Sequence, residues 1–180
     1  MKGFYVATGR QGSGKTVYMV KHLIDNMGDR PIFSNITLKG IPFTRITFNK
    51  PDKEDDVLDI LEVLTKDPNY FNNSIMLLDE IHIYFDSLDF MKENSRKLHA
   101  FFSQLRKRDI LLFATTQYIL NLDVRIRRQA LYVFDMTQHK QDIFEVNMNV
   151  IDGYYTEFVR RELYNLSGYF KYYDTNEIVT

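Results

Sequence analysis

Eight consecutive residues constrain this chain more than any others: Gly9-Arg10-Gln11-Gly12-Ser13-Gly14-Lys15-Thr16. They match the pattern G-x-x-x-x-G-K-[ST], which works only between a buried strand and a helix. The flanks agree. Gly3 to Thr8 is a short apolar run ending at a glycine, and Lys15 to Met27 reads as a helix. Glycines at 9, 12 and 14 let the backbone wrap with its N–H groups facing inward, and the helix start adds its positive dipole end. The loop therefore predicts a phosphate cradle spanning Gly9, Arg10, Gln11, Gly12, Ser13, Gly14, Lys15 and Thr16. Lys15 should reach the β- and γ-phosphates of ATP, and the Thr16 hydroxyl should face Mg²⁺.

The rest of the chain alternates extended and helical patterns. Pro31 to Leu38 and Ile41 to Phe48 read as extended, broken by a turn at Lys39-Gly40. Asp52 to Lys66 reads as a helix with Val57, Ile60, Leu61 and Leu64 on one face. Met91 to Lys107 reads as another, striped by Leu98, Phe101, Phe102 and Leu105. Buried strands are predicted at Ile75 to Leu78, Ile110 to Thr115 and Leu131 to Asp135. From Asp142 to Tyr173, polar and apolar residues alternate among many tyrosines, the texture of hairpins or edge strands with one helical piece. Strands alternating with helices predict an α/β fold with a mostly parallel sheet. The expectation is one domain over 1–180, a core at 1–136 and a β-rich C-terminal extension at 137–180 that decorates it.

Two strand ends carry chemistry. Ile75-Met76-Leu77-Leu78 runs into Asp79-Glu80. A carboxylate at such a strand tip can hold Mg²⁺, the role of Asp79, and the next one, Glu80, can polarise an attacking water as general base. Ile110 to Thr115 runs into Thr116-Gln117. Gln117 either senses the γ-phosphate or merely caps the strand. Arg106-Lys107-Arg108 either favours a helix C-terminus electrostatically or supplies an arginine to a neighbouring subunit's phosphate. His82 and His99 lie in no metal-ligand pattern and read as structural. Lys92, Arg96 and Lys97 read as a solvated helix face.

Composition narrows the setting. With 23 basic and 24 acidic residues, no global charge favours nucleic acid or an anionic membrane. The absence of cysteine removes disulfides and cysteine zinc sites. No apolar run reaches the ~18 residues of a membrane span, and no signal peptide is read at Met1 to Tyr5, so work in a cytoplasm is expected. Nothing in the sequence suggests the lid of a small-molecule kinase.

The set GRQGSGKT, LLDEIH and FFSQLRKRDILLFATTQ resembles the FtsK/HerA superfamily of DNA-pumping ATPases, over residues 3–136. Within it, the small size is most similar to genome-packaging ATPases of tailless viruses, archaeal internal-membrane viruses included. The resemblance implies a RecA-like sheet with the Gln117 strand inserted between the other two. It implies ATP with Mg²⁺, a homo-oligomeric ring (pentamer or hexamer), double-stranded DNA, and capsid or vertex proteins as partners, in a host cytoplasm or with the virion. It makes Gln117 the sensor. In that superfamily a trans-acting arginine precedes the glutamine strand; Arg106, 11 residues before Gln117, fits that spacing. Family members often carry glycine where Arg108-Asp109 stands here, so Arg106 is the first choice and Arg108 the second. The related assembly ATPases of filamentous phages, typically with an added membrane span, and plasmid or conjugative DNA pumps resemble the same core. A small-molecule kinase and a non-hydrolysing, nucleotide-gated binding module remain the readings from other classes.

Overall fold

Residues 2–48, 57–85, 92–152 and 155–175 are described by a computed structural model of the chain. Strand β1, Gly3–Thr8, is buried at every position, as expected of an inner parallel strand covered on both faces. Helix α1, Lys15–Asn26, follows the glycine loop directly. Two short strands come next, β2 (Ile32–Ser34) and β3 (Thr44–Thr47), and then β4 (Leu58–Asp59).

Helix α2 spans Ile60–Lys66, starting later than the periodicity of Val57, Ile60, Leu61 and Leu64 predicts. Its start is set by Asp59, whose Oδ1 accepts from the N–H groups of Leu61 (2.8 Å) and Glu62 (3.0 Å). That N-cap fixes the boundary in a way apolar spacing does not reveal. The remainder of that predicted helix, 52–56, lies outside the described residues.

Strand β5 (Ile75–Leu78) leads into a four-residue helix α3 (His82–Phe85). Helix α4 (Lys92–Gln104) precedes β6 (Leu111–Thr116). Its predicted first residue, Met91, lies outside the described residues, and it stops before Arg106 and Lys107. Arg108 N–H still reaches Gln104 O (3.0 Å), but Asp109 turns left-handed at φ 55°, and the chain reverses into β6. A short α5 (Val124–Arg127) comes before β7 (Ala130–Lys140), β8 (Ile143–Asp152) and β9 (Tyr155–Asn165). The helical piece expected in the C-terminal region is one 3₁₀ turn at Phe170–Tyr172.

Among the described residues, nine strands form one sheet in the order β4-β3-β2-β5-β6-β1-β7-β8-β9. Strands β4 through β7 pair in parallel, and β8 and β9 add antiparallel strands at one edge. Strand β6 lies between β1 and β5, the inserted position expected for the Gln117 strand. Alternating residues feed two cores, because side chains of a strand leave opposite faces with period two. Phe4, Val6, Met76, Leu78 and Leu112 meet Leu98, Phe101 and Phe102 of α4 and Ile60 of α2. Tyr5, Ala7, Ile75, Leu77 and Phe113 meet Val17, Tyr18, Val20 and Leu23 of α1.

The C-terminal region is built onto this frame. Strand β7 runs across positions 136 and 137, so core and extension share a sheet. The Tyr18 ring of α1 packs against Phe134 (5.3 Å) and Tyr164 (5.2 Å). Thr8 Oγ1 donates to Asp135, whose second oxygen accepts from Asn149 Nδ2 at 2.9 Å, tying the end of β1 to β7 and β8. After β9 the chain returns across the sheet. Tyr173 bridges Leu38, and Lys39 N–H donates to Tyr172 O at 2.7 Å.

Candidate nucleotide site

The carboxyl ends of β1, β5 and β6 open on one cleft of about 580 Å³, where parallel α/β sheets place their ligands. Gly9 starts the loop with its N–H donating to Gln117 O (3.2 Å), which ties the loop to the tip of β6. A Cβ at Gly9 would stand 2.4 Å from Met136 O, so no other residue fits that close approach. Gly14 caps α1 at φ 84° with no side-chain hydrogen bond, leaving the first N–H groups of the helix open toward the cleft. A Cβ there would strike the Phe144 ring at 2.5 Å.

Lys15 is 5% exposed, and its Nζ donates to Gly9 O (3.0 Å) and Arg10 O (3.1 Å). The ammonium is thus folded onto its own loop, held inside the curve that a phosphate would fill. Ser13 Oγ, buried beside it, has no hydrogen-bond partner among the described residues. Loop shape, an open helix start, a buried cation and an unpaired hydroxyl together fit a polyphosphate.

The two carboxylates differ sharply. Asp79 Oδ1 accepts from Thr16 Oγ1 (2.8 Å) and from Thr115 Oγ1 (2.7 Å). Its backbone is clamped by Asn35: Asp79 N–H donates to Asn35 Oδ1 (2.7 Å), and Asn35 Nδ2 donates to Asp79 O (2.8 Å). Thr16 and Asp79 thus form an oxygen pair of the kind Mg²⁺ takes, one or two protein ligands beside phosphate and water.

Glu80 sits at φ 48°, a left-handed conformation uncommon for a non-glycine residue, and its N–H donates to Thr115 Oγ1 at 2.9 Å. One buried hydroxyl therefore sets both acidic residues. Glu80 Oε1 lies 4.0 Å from Lys15 Nζ, and Oε2 is buried with no hydrogen-bond partner among the described residues. Burial pushes the Glu80 carboxyl above its ordinary range; Lys15 pulls it back, Asp79 adds to the rise, and His82 lowers it. A raised carboxyl on a residue that lines the cleft is equipped to accept a proton from water.

Gln117 is exposed and lines the same cleft. Lys15, Thr16, Asp79, Glu80 and Gln117, scattered in sequence, are thereby brought together. The two arginines are not. Arg106 is exposed, its Cγ 3.3 Å from where a Gly3 Cβ would stand, at the opposite end of β1 from the loop. At about 3.3 Å per residue, β1 separates that end from the loop by roughly 17 Å. Arg108 is engaged locally: Nε and Nη2 donate to Gln104 Oε1 (2.9 and 2.6 Å), and Nη1 donates to Pro68 O.

Several groups at the site were not singled out from sequence. Asn35 and Thr115 are polar residues at strand ends, at the level of Asp79, and that placement was their available signal. His82, read as structural, stands with Nδ1 3.2 Å from Glu80 Oε2. The C-terminal region supplies a whole wall, including Phe144, Phe170, Tyr173 and Asp174. Burial pushes the Tyr173 hydroxyl up to about 12, and the Asp79 charge adds to that rise.

Comparison with known proteins agrees with this geometry. The zonular occludens toxin (Zot) family matches residues 3–149. The chain belongs to the Zot family. Among solved structures, this Zot-family chain is similar to the N-terminal domain of zonular occludens toxin from Neisseria meningitidis. That pair shares 22% identity, covers 97% of this chain and 100% of that one, and has a TM-score of 0.66. The genome packaging NTPase B204 from Sulfolobus turreted icosahedral virus 2, in complex with ATP-gammaS, is 14% identical. It covers 88% of this chain and 97% of its own, with a TM-score of 0.54. The ATPase domain of G40P is 7% identical, with 97% and 85% coverage and a TM-score of 0.55. No curated protein sequence matches significantly. The fold is that of RecA-like P-loop ATPases. Among the described residues, no helix is long and apolar enough to cross a membrane.

Proposed function

We propose that this chain is an ATP-hydrolysing subunit of an oligomeric motor that moves DNA. The observation that carries the hydrolytic part is the pairing of an Asp79 engaged by Thr16 and Thr115 with a Glu80 that lines the same cleft and whose carboxyl is approached by Lys15 (4.0 Å) and His82 (3.2 Å). Lys15 and the loop N–H groups bind the phosphates. Thr16 and Asp79 hold Mg²⁺, which when bound neutralises charge on the phosphate oxygens. Glu80 takes a proton from the attacking water, and Gln117 senses the γ-phosphate. B204 has been captured with AMP, AMPPCP and ATP-gammaS, which supports an adenine nucleotide here.

Arg106, roughly 17 Å away along β1, is too far to serve its own loop and is assigned to a neighbour's phosphate in a ring. Arg108, already bonded to Gln104 and Pro68, ranks behind it. DNA and a ring are supported by the superfamily resemblance. The B204 likeness supports packaging into a capsid, through capsid or vertex proteins. The Zot domain fits over more of the chain and with a higher TM-score than B204 does. An assembly motor of the filamentous-phage type, which resembles the same core, is the second reading.

ATP turnover with and without double-stranded DNA, combined with native mass, tests the proposal. Expected are a DNA-dependent rise in turnover that fades with added salt and a mass that is a multiple of the subunit. Turnover indifferent to DNA, with phosphate appearing on a small acceptor, would point to a kinase instead.

A further inference from the structure

Histidine 82 is the side chain at the site that phosphate chemistry does not use. It lies in α3, three residues after Asp79, and is largely buried against the tips of β5 and β6. Its Nδ1 is 3.2 Å from Glu80 Oε2 and 3.3 Å from Thr116 Oγ1. Thr116 immediately precedes Gln117, and its hydroxyl also donates to Tyr118 O at 3.2 Å. If that proton stays on Tyr118 O, the Thr116 oxygen is left to accept from an Nδ1–H. A single imidazole N–H thus has two acceptors in reach, one on the general base and one at the root of the γ-phosphate sensor.

Glu80 is also held from its other side, by Lys15 at 4.0 Å from Oε1. A polyphosphate in the loop competes for Lys15, whose Nζ donates to the carbonyls of Gly9 and Arg10. When Lys15 turns to phosphate, orientation of the Glu80 carboxylate falls to the contact at Oε2. The backbone cannot take over, since Glu80 N–H is already spent on Thr115 Oγ1.

We infer that His82 is a positioning residue for hydrolysis: its Nδ1–H passes between Thr116 Oγ1 and Glu80 Oε2, aiming the carboxylate at water and linking it to the Gln117 end of β6. This rests on the reading of Glu80 as general base. A misaimed base slows the chemical step and leaves ground-state binding of the phosphates intact, because His82 touches neither the loop nor the metal pair.

The test is steady-state ATP turnover beside AMPPCP affinity in the full chain, with thermal melting as a check on folding. His82→Ala should lower kcat on the order of ten- to a hundred-fold while KM and AMPPCP affinity hold. His82→Asn offers an amide N–H near the place of Nδ1 and should recover most of the loss. Thr116→Val, which keeps shape and removes the hydroxyl, should lower kcat in the same sense and add less than its full effect to His82→Ala. Unchanged kcat in His82→Ala overturns the inference, as does a loss shared equally by AMPPCP affinity, or one that His82→Asn fails to recover. If wild-type protein shows no turnover, the hydrolytic reading falls and this inference with it. Turnover in the wild type with an indifferent His82→Ala removes this inference alone.

Discussion

The cleft has two walls built on different principles. One wall comes from a single run, Gly9 to Thr16, of which Gln11, Gly12, Gly14, Lys15 and Thr16 line the cavity. The other collects Gln138, Asp142, Phe144, Phe170, Tyr173 and Asp174 from a strand end, a turn, a hairpin and a returning tail. Phosphate is a fixed chemical object, so the wall that meets it needs one backbone shape and few side chains. The wall opposite, aromatic at Phe144, Phe170 and Tyr173 and polar at Gln138, Asp142 and Asp174, answers to no such fixed shape, and many sequences can supply one. The two walls touch at Gly14 and Phe144, where no Cβ could be inserted between them. The contrast teaches that motif strength measures how narrowly a chemistry restricts its residues, and says little about how much of the site a motif builds.

The largest expected effect lies where the motif wall meets the acidic strand. Glu80→Gln keeps the shape of the side chain and removes the proton acceptor. Turnover should fall by ~10²–10⁴-fold, the usual contribution of a positioned general base, while nucleotide affinity remains. Mixing such subunits with Arg106→Ala subunits should regain part of the activity, since a ring would then contain sites with an intact base facing an intact arginine. Phosphate-release assays on the separate and mixed proteins give both readouts. Unimpaired turnover in Glu80→Gln would remove the distinction between an engaged Asp79 and a poised Glu80.

Legibility followed the same divide. The order loop, helix, acidic strand and glutamine strand was readable because each piece carries a period or a pattern that local geometry demands. Buried strands β1, β5 and β6 stood out as short apolar runs, and the Asp-Glu end of β5 as a polar step after one. The start of α2 was misread, because Asp59 capping decides it and the apolar spacing through Val57 does not. Asn35 was invisible for a different reason. It acts 44 residues away, on the backbone of Asp79, and only the parallel pairing of β2 with β5 brings it there. The aromatic wall was read as decoration, since period-two alternation predicts strands without saying what they cover.

Asn35 provides the intermediate effect, and it tests whether the motif wall stands without help from outside it. Asn35→Ala leaves the N–H and C=O of Asp79 without their clamp in a part-buried site, and removes a longer 3.4 Å contact to Tyr84 Oη. A lost partner of this sort costs about 1–3 kcal/mol. A domain of this size should melt about 2–4 °C lower per kcal/mol lost. Turnover should drop with it, because the Asp79 carboxylate that meets Thr16 is aimed by that backbone. A melting point unchanged in thermal denaturation would mean that Thr115 and Thr16 suffice to hold Asp79.

The smallest effect belongs to the aromatic wall, and Phe144 is the place to measure it. The ring is buried, packs directly on Gly14, and stands 6.4 Å from the Phe170 ring. Replacing it with alanine would confuse two causes, since emptying a buried phenylalanine site costs ~3–5 kcal/mol of stability by itself. Phe144→Leu avoids that, because similar-volume apolar exchanges usually cost less than about 1.5 kcal/mol. The leucine keeps the wall closed but gives up the flat aromatic face. If a nucleotide base rests there, AMPPCP affinity should weaken by roughly the worth of one aromatic contact, about 0.5–1.5 kcal/mol or several-fold, with kcat unchanged. Calorimetric titration of both proteins separates the cases. An affinity equal to wild type would make the second wall a lid over phosphate with no hold on the base. A loss in kcat at constant affinity would mean that Phe144 acts through Gly14 on the loop, and the two walls would then be one functional unit.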